Sequence, residues 1–316
     1  MLVENINKTA LKEVHTHIQS YIHNTPVFHS SIINEITGAD IKFKCENFQK
    51  MGAFKMRGAI NAILCLPEAE RKLGVVTHSS GNFAQAVALS AKLLNIPAYI
   101  VMPESAPKVK VDAVRSYGGI ITMVPSTLKD REANAKRIQE ETGAAFLHPS
   151  NQIEVILGNA TAAMEYFKDH FDTDYLLAPI GGGGLVAGTA LACKFFSDNC
   201  ITIGAEPKNV DDAYRSLMTG KIENNSSTDT IADGLRTTLG DINFPIIQSN
   251  VNRIITVEED EIIQAVKLIW ERMKLVVEPS SAVPFAAVLK EKDFFKGKKV
   301  GIILSGGNVD LNNLPF

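Results

Sequence analysis

The sequence has little of what marks a secreted, membrane-spanning or nucleic-acid-binding chain. Its four cysteines, Cys45, Cys65, Cys193 and Cys200, fall singly in apolar segments with no CxxC spacing, so reduced core thiols of a cytoplasmic protein are expected. No apolar run approaches the roughly 18 residues a membrane helix needs. The opening stretch, MLVENINKTALKEVHTHIQSYIH, mixes charges and histidines at helical spacing and lacks an apolar core before a small-residue cleavage site. Neither a signal peptide nor an anchor is expected from it. Neither sign of charge dominates: 32 Lys and Arg against 35 Asp and Glu leave a net charge of -3. That balance gives no basic footprint for nucleic acid or an anionic membrane, and favours a small-molecule partner. There is no internal repeat and no low-complexity linker, and with the chain stopping soon after ILSGGNVDL no appended regulatory domain is expected.

What is present is ordinary globular material, 316 residues with 45% hydrophobic and 21% charged, enough for one large or two modest domains. Apolar runs of strand length alternate with amphipathic segments of helix length, the pattern of an α/β protein with mainly parallel sheets. Strands are expected over residues 41–45, 74–78, 98–102, 120–124, 175–180, 201–205 and 300–304. Helices are expected over 54–64, 83–94, 106–117, 127–141, 157–170, 185–196 and 258–273. Breaks near Phe48 and His148 divide the chain into a large domain, 1–47 with 148–316, and a small domain, 48–147. The polar stretch KIENNSSTDTIADGL, 221–235, reads as a surface loop that could turn Gly234 inward.

Five segments carry chemistry. In YLLAPIGGGGLVAGTALACKFF a buried strand meets four glycines, Gly181, Gly182, Gly183 and Gly184, and then a small-residue helix, whose N-terminal N–H groups favour a phosphate. The Lys-Ser/Thr ending of a nucleoside triphosphate loop is missing. A dinucleotide reading stays open, because Gly182, Gly184 and Ala187 fit G-x-G-x-x-A and Glu206 follows Gly184 by 22 residues. In NFQKMGAFKMRGAINAIL, Lys55 shares a helix face with Gly58, Ala59, Ala62 and Ile63. Burial there disfavours the charged amine and frees its lone pair for a carbonyl. In VVTHSSGNFAQAVALSAKLL, Ser79, Ser80 and Asn82 stand at a helix N-terminus, suited to capping it or to holding a carboxylate. In VGIILSGGNVDL a strand delivers Ser305 to the crevice where open α/β sheets bind ligands. In GAEPKNVDD, Glu206, Asp211 and Asp212 cluster after a strand, where they are either oxygen ligands for Mg²⁺ or Ca²⁺ or a solvated acidic loop.

The lysine of GAFKMRGA, the SSGN loop, the GGGGL cup and the serine of LSGGN together resemble the fold type II pyridoxal phosphate enzymes. The resemblance is specifically to the serine racemase and serine/threonine dehydratase group, and it runs through TIADGL, WERMKLVVEPSSA and LSGGNVDL to the end of the chain. It implies two open, mainly parallel twisted sheets with helices on both faces, like the tryptophan synthase β chain, and a homodimer. It implies that Lys55 holds pyridoxal 5'-phosphate as a Schiff base beside Phe54. Asn82 would contact the ring hydroxyl, Gly181 to Gly184 the phosphate, and Ser305 the ring nitrogen, with Gly234 and Glu278 near the ring. Ser79, Ser80, Gly81 and Asn82 would take the substrate carboxylate, and Arg131 would approach when the small domain closes. Glu206, the Val210 carbonyl and Asp212 would bind a divalent cation, Mg²⁺ or Ca²⁺.

The implied reaction is racemisation of serine, or dehydration of L-serine or L-threonine to a 2-oxo acid and ammonia, with 3-hydroxyaspartate dehydration or aspartate racemisation as the alternative. Lys55 would move the Cα proton, and Ser80 would serve the opposite face, since the racemases carry SSGN where many dehydratases have SAGN. Three departures stand out: Phe83 where histidine is common, the loop HPSNQIEVILGNAT at 148–161 with Ser150 and Asn151, and Pro284, tolerable in an early helical turn. An NAD-dependent oxidoreductase would use the glycine turn and Glu206 but leave Lys55, SSGN and Ser305 without a role. A sensor that binds amino acids without turning them over would carry the same motifs.

Overall fold

The computed structural model describes residues 6–106, 108–314 and 316. Among these, ten strands form two sheets: β1 Val27–Phe28, β2 Asp40–Cys45, β3 Val75–Thr77, β4 Ala98–Pro103, β5 Ile120–Val124, β6 Ala145–Phe146, β7 Tyr175–Pro179, β8 Ile201–Pro207, β9 Val251–Val257 and β10 Lys299–Leu304. The larger sheet has the order β1-β2-β10-β7-β8-β9 and the smaller β5-β4-β3-β6. Every pairing is parallel except β1 with β2. The helices are α1 Lys8–Ile18, α2 Ser31–Thr37, α3 Lys55–Leu64, α4 Glu68–Lys72, α5 Asn82–Leu93, α6 Lys108–Ser116, α7 Leu128–Thr142, α8 Ile153–Tyr166, α9 Gly184–Phe196, α10 Asp212–Thr219, α11 Asn243–Asn250, α12 Glu259–Leu268, α13 Pro279–Lys290 and α14 Lys292–Phe295. The two mainly parallel sheets are those expected of fold type II.

All seven expected strands are present. β10, KVGIIL, lies between β2 and β7 and is buried along all but its first residue, which is why it reads as a continuous apolar run. The strands not anticipated are β1 and β6, two residues each, and β9, whose VNRIITV is broken by Asn252 and Arg253. Helix α8 begins at Ile153 rather than 157, so the segment 148–161 is a loop only in its first part. Val155, Ile156 and Leu157 are buried and start the helix one turn early. The helix expected over 106–117 is described from Lys108, with Pro107 outside the described residues, as are the first five residues of the opening stretch. Pro284 is not in the first turn: it is the sixth residue of α13, where its missing N–H leaves the Ser280 carbonyl without the usual helical donor. The cysteines also differ from expectation, since Cys65 is exposed and Cys193 Sγ lies 3.9 Å from Cys200 Sγ, all four being free thiols.

Helix α3 is fixed by close packing and by charge. A Cβ at Gly158 of α8 would lie 2.4 Å from the Arg57 carbonyl, so only glycine lets α8 approach this near. Arg57, fully buried, grips two buried carboxylates. Its Nε and Nη2 donate to Glu46 at 2.7 and 2.9 Å, and Nη1 and Nη2 to Glu165 at 2.8 Å each. Lys44 Nζ reaches Glu165 at 2.7 Å and His15 Nε2 reaches it at 3.1 Å, so α1, β2, α3 and α8 meet in one ion cluster.

Candidate active site

Parallel pairing of β7 with β10 sets their carboxyl ends side by side, so the glycine turn and Ser305 leave the sheet together. The turn runs into α9, which starts at Gly184 after Gly183 at φ 77° and carries no side-chain cap. Its first N–H groups are therefore open to an anion. A Cβ at Gly182 would lie 2.3 Å from Ser150 Oγ, so the cradle exists only because no side chain fills it. Asn243, fully buried, holds the cradle: Nδ2 donates to Gly182 O at 2.7 Å and to Ser150 O at 3.4 Å, and Oδ1 accepts from Gly240 N at 3.1 Å.

Lys55 opens α3 next to this turn. Its Nζ donates to the Pro149 carbonyl at 2.7 Å and lies 5.0 Å from the Phe54 ring and 5.6 Å from the Phe83 ring. Burial pulls the amine down to about 8, against the upward pull of the Glu278 charge. Phe54 N donates to Ser305 O at 2.9 Å, which joins the lysine segment to the end of β10. His148 Nδ1 accepts from Ser150 N at 3.2 Å and Asn151 N at 2.8 Å, and burial, with the charges of His78 and Lys55, lowers this imidazole to about 4. The imidazole is neutral, with its proton on Nε2.

The SSGN loop closes the other side. Helix α5 begins at Asn82 without a side-chain cap, so Ser79, Ser80 and Gly81, all half-buried, leave its N–H groups available rather than satisfying them. Asn82 Nδ2 donates to both oxygens of Glu278 at 3.0 and 3.1 Å, and its Oδ1 accepts from Asn308 Nδ2 at 2.9 Å. Glu278 is buried, which pushes its carboxyl up to about 7, helped by Asp233 and opposed by the Asn82 amide. Gly234 N donates to Ser280 Oγ at 3.0 Å, and a Cβ there would come within 3.9 Å of Glu278 Oε1. Ser305 is buried with its Oγ 3.0 Å from Ser281 Oγ.

Two expected groups stand apart. Arg131, in the first turn of α7, bonds back to the Thr127 carbonyl from N at 3.3 Å and Nε at 3.4 Å. It contributes charge near His78 but bonds to no residue around Lys55. Glu206 and Asp212 are fully buried with Val210. The Glu206 oxygens accept from Ala213 N at 3.2 Å and Tyr214 N at 3.0 Å, so its carboxylate is turned to α10 and is not a ribose ligand. The dinucleotide reading loses its acidic residue. Asp212 accepts from Leu239 N at 2.9 Å and Asn225 Nδ2 at 2.7 Å. Burial and the charge of Asp212 hold Glu206 well above the usual carboxylate range, and burial lifts Asp212 to about 6. No cluster of three or more His, Cys, Asp or Glu side chains with metal-ligand geometry occurs among the described residues. Asn243, Asn308, Ser281 and the Pro149 carbonyl were not found from sequence, because each works through partners far along the chain.

The arrangement offers an anion cradle, a desolvated amine beside two aromatic rings, and a buried acid bonded to an amide. This donor set fits pyridoxal phosphate: a cup for its phosphate, a neutral-capable amine for its aldehyde and a hydroxyl at the sheet's edge for its ring. Comparison with known proteins agrees. The chain is 48% identical over 308 residues to the serine racemase of Dictyostelium discoideum, covering 96% of this chain and 95% of that one. It is 45% identical over 302 residues to the β-hydroxyaspartate dehydratase of Paracoccus denitrificans (strain Pd 1222), with 96% of each covered. The solved structure of maize serine racemase superposes with a TM-score of 0.94 at 44% identity, over 97% of this chain and 94% of that one. The Pyridoxal-phosphate dependent enzyme family matches residues 18–306, and the chain belongs to that family.

Proposed function

We propose that the protein is a pyridoxal phosphate-dependent serine racemase and L-serine/L-threonine ammonia-lyase. The observation that carries this is the Lys55 amine, desolvated between Phe54 and Phe83 and beside an uncapped glycine cradle. When bound, the cofactor supplies an electron sink for the Cα–H bond of an amino acid. Lys55 would hold its aldehyde, and its amine would move the proton at Cα on one face. Ser80 serves the opposite face. Gly181 to Gly184 would take the phosphate through the N-terminus of α9, Phe54 would flank the ring, Ser305 would meet the ring nitrogen, and Asn82, held by Glu278, would meet the ring hydroxyl. Gly234 leaves room beside Glu278. Ser79, Ser80, Gly81 and the α5 N–H groups bind the substrate carboxylate, which the missing side-chain cap supports. Arg131 reaches the substrate when the small domain closes.

The small domain is residues 48–147, a division supported by a four-stranded sheet built wholly from strands between Val75 and Phe146. A radius of gyration unchanged by substrate would refute its closure. A divalent cation, Mg²⁺ or Ca²⁺, at Glu206, Asp212 and the Val210 carbonyl is supported by the burial of two carboxylates that no Lys or Arg side chain among the described residues bonds. Chelation that leaves the thermal midpoint unmoved would refute it. The resemblance supports a homodimer, and four free thiols support a cytoplasmic location.

The test is incubation of the purified holoenzyme with L-serine, D-serine, L-threonine and L-threo-3-hydroxyaspartate, reading 2-oxo acid and enantiomer together. D-Serine with some 2-oxo acid is expected. Turnover confined to hydroxyaspartate would replace this reading with the dehydratase one, and no turnover of any would refute both.

A further inference from the structure

Cys193, in the last turn of α9, and Cys200, the residue before β8, bracket the connection between those elements, and their Sγ atoms are 3.9 Å apart. Ser197, in the turn between them, fixes both backbones with one hydroxyl: its Oγ donates to Cys193 O at 2.7 Å and accepts from Cys200 N at 3.3 Å. The Ser197 amide adds a bond to Cys193 O at 3.2 Å. The two thiols therefore face each other across a turn that is already closed. A disulfide holds its sulfurs about 2.0 Å apart, so these have to approach by roughly 1.9 Å. Because Cys200 lies outside β8, rotation of its side chain with a small shift of the turn supplies that approach and leaves helix and strand in place. Cys193 is 4% exposed and Cys200 half-buried, so it is Cys200 that meets a reagent from solvent.

We propose that Cys193 and Cys200 form a modification site, a dithiol that closes to a disulfide on reaction with a small-molecule disulfide such as oxidised glutathione. The Cys200 thiolate attacks the reagent, one glutathione leaves as its thiol, and Cys200 is left as a mixed disulfide. Cys193 then attacks the Cys200 sulfur and releases the second glutathione. Two protein thiols give up two electrons and two protons, and one reagent disulfide becomes two thiols. The contact with Cys193, together with burial, raises the Cys200 thiol above its ordinary range, so Cys200 rests protonated and the first attack is slow. The link is a staple remote from the cofactor cradle: Cys193 is nine positions, about 14 Å, along α9 from Gly184. It closes a loop of eight residues in the unfolded chain and so favours the folded one.

The experiment is incubation of the purified holoenzyme with oxidised glutathione, alkylation of the remaining thiols under denaturing conditions, and tryptic mass mapping. Cleavage after Lys194 puts the two cysteines on separate peptides, 169–194 and 195–208, so the link appears as one joined mass. The parent is expected to yield that joined mass, to lose it on reduction by dithiothreitol, and to unfold a few degrees higher oxidised than reduced. Cys193→Ser, which lacks the second attacking thiol, is expected to keep glutathione on Cys200. Parent protein in which Cys193 and Cys200 are both alkylated, or in which Cys200 ends on glutathione or on another cysteine, overturns the inference, and that result needs no variant. A thermal midpoint that does not rise on oxidation overturns the staple, and Cys193→Ser without glutathione on Cys200 overturns the order of attack.

Discussion

Replacing Arg57 by methionine removes the cation at the centre of the buried cluster that anchors α3, two residues beyond Lys55. The guanidinium makes two bonds to Glu46 and two to Glu165, all between 2.7 and 2.9 Å, and both carboxylates are buried. Lys44 and His15 remain on Glu165, but among the described side chains Glu46 keeps only the Thr25 hydroxyl as a hydrogen-bond donor, at 2.6 Å. Stranding a buried charge in this way costs about 3–5 kcal/mol. Against a total stability of about 5–15 kcal/mol, that leaves a folded but weakened protein. With a urea slope of roughly 3 kcal/mol/M for a chain of this size, the midpoint should fall by about 1–2 M. The double variant Arg57→Met with Glu46→Gln should recover part of the loss, because the cost lies in the stranded carboxylate and not in the lost pair. The pH dependence has a defined sign. Burial alone would raise Glu165, but His15, Arg57 and Lys44 together hold it well below its ordinary 4.5. Its contribution is present above that value and fades as pH falls toward the depressed one, so the gap between parent and variant should narrow in acid. A urea midpoint unchanged in Arg57→Met, or a double variant weaker than the single, would refute the reasoning.

Three further outcomes are expected. Ser80→Ala should lower serine racemisation by about 100-fold or more while leaving L-serine dehydration nearly intact, read as D-serine and pyruvate together; an unchanged racemisation rate would remove Ser80 from the proton path. Asn243→Asp keeps the acceptor for Gly240 N but loses the donor to Gly182 O, so cofactor affinity measured by fluorescence titration should weaken about tenfold, and an equal affinity would mean the cradle does not depend on it. Capture of cofactor by the apoprotein requires a neutral Lys55 amine, so its rate should rise with pH to a plateau with a midpoint near 8; a midpoint near the ordinary 10.5 would show that the amine is not desolvated.

The parts of the site legible in the sequence were those made by a residue and its own strand-to-helix turn: Lys55, Ser79 to Asn82, the four glycines and Ser305. Each sits at a boundary that local pattern marks, an apolar run ending in glycine or serine. What could not be read there is what long-range pairing decides. Asn82 meets Glu278 across 196 residues, and Asn308 meets Asn82 across 226. The same holds for Asn243, which looks like an ordinary polar residue in INFPIIQ until α11 brings it under Gly182. Phe83 departs from the histidine common in the family, and its ring helps strip water from Lys55. The glycine stretch suited a dinucleotide equally well by spacing alone, and the turning of Glu206 toward α10 removes the acidic ribose ligand that reading needed. In the fold, strands buried on both faces announced themselves, while β1 and β6 are too short for any periodicity and β9 is interrupted by polar residues.

The most direct test of the account is borohydride reduction of the holoenzyme followed by peptide mass mapping. The account predicts that reduction fixes one cofactor per chain on the peptide holding Lys55, and that Lys55→Ala carries none. Cofactor fixed on Lys50 or another lysine, or no covalent adduct in a protein that retains its cofactor colour, would contradict it.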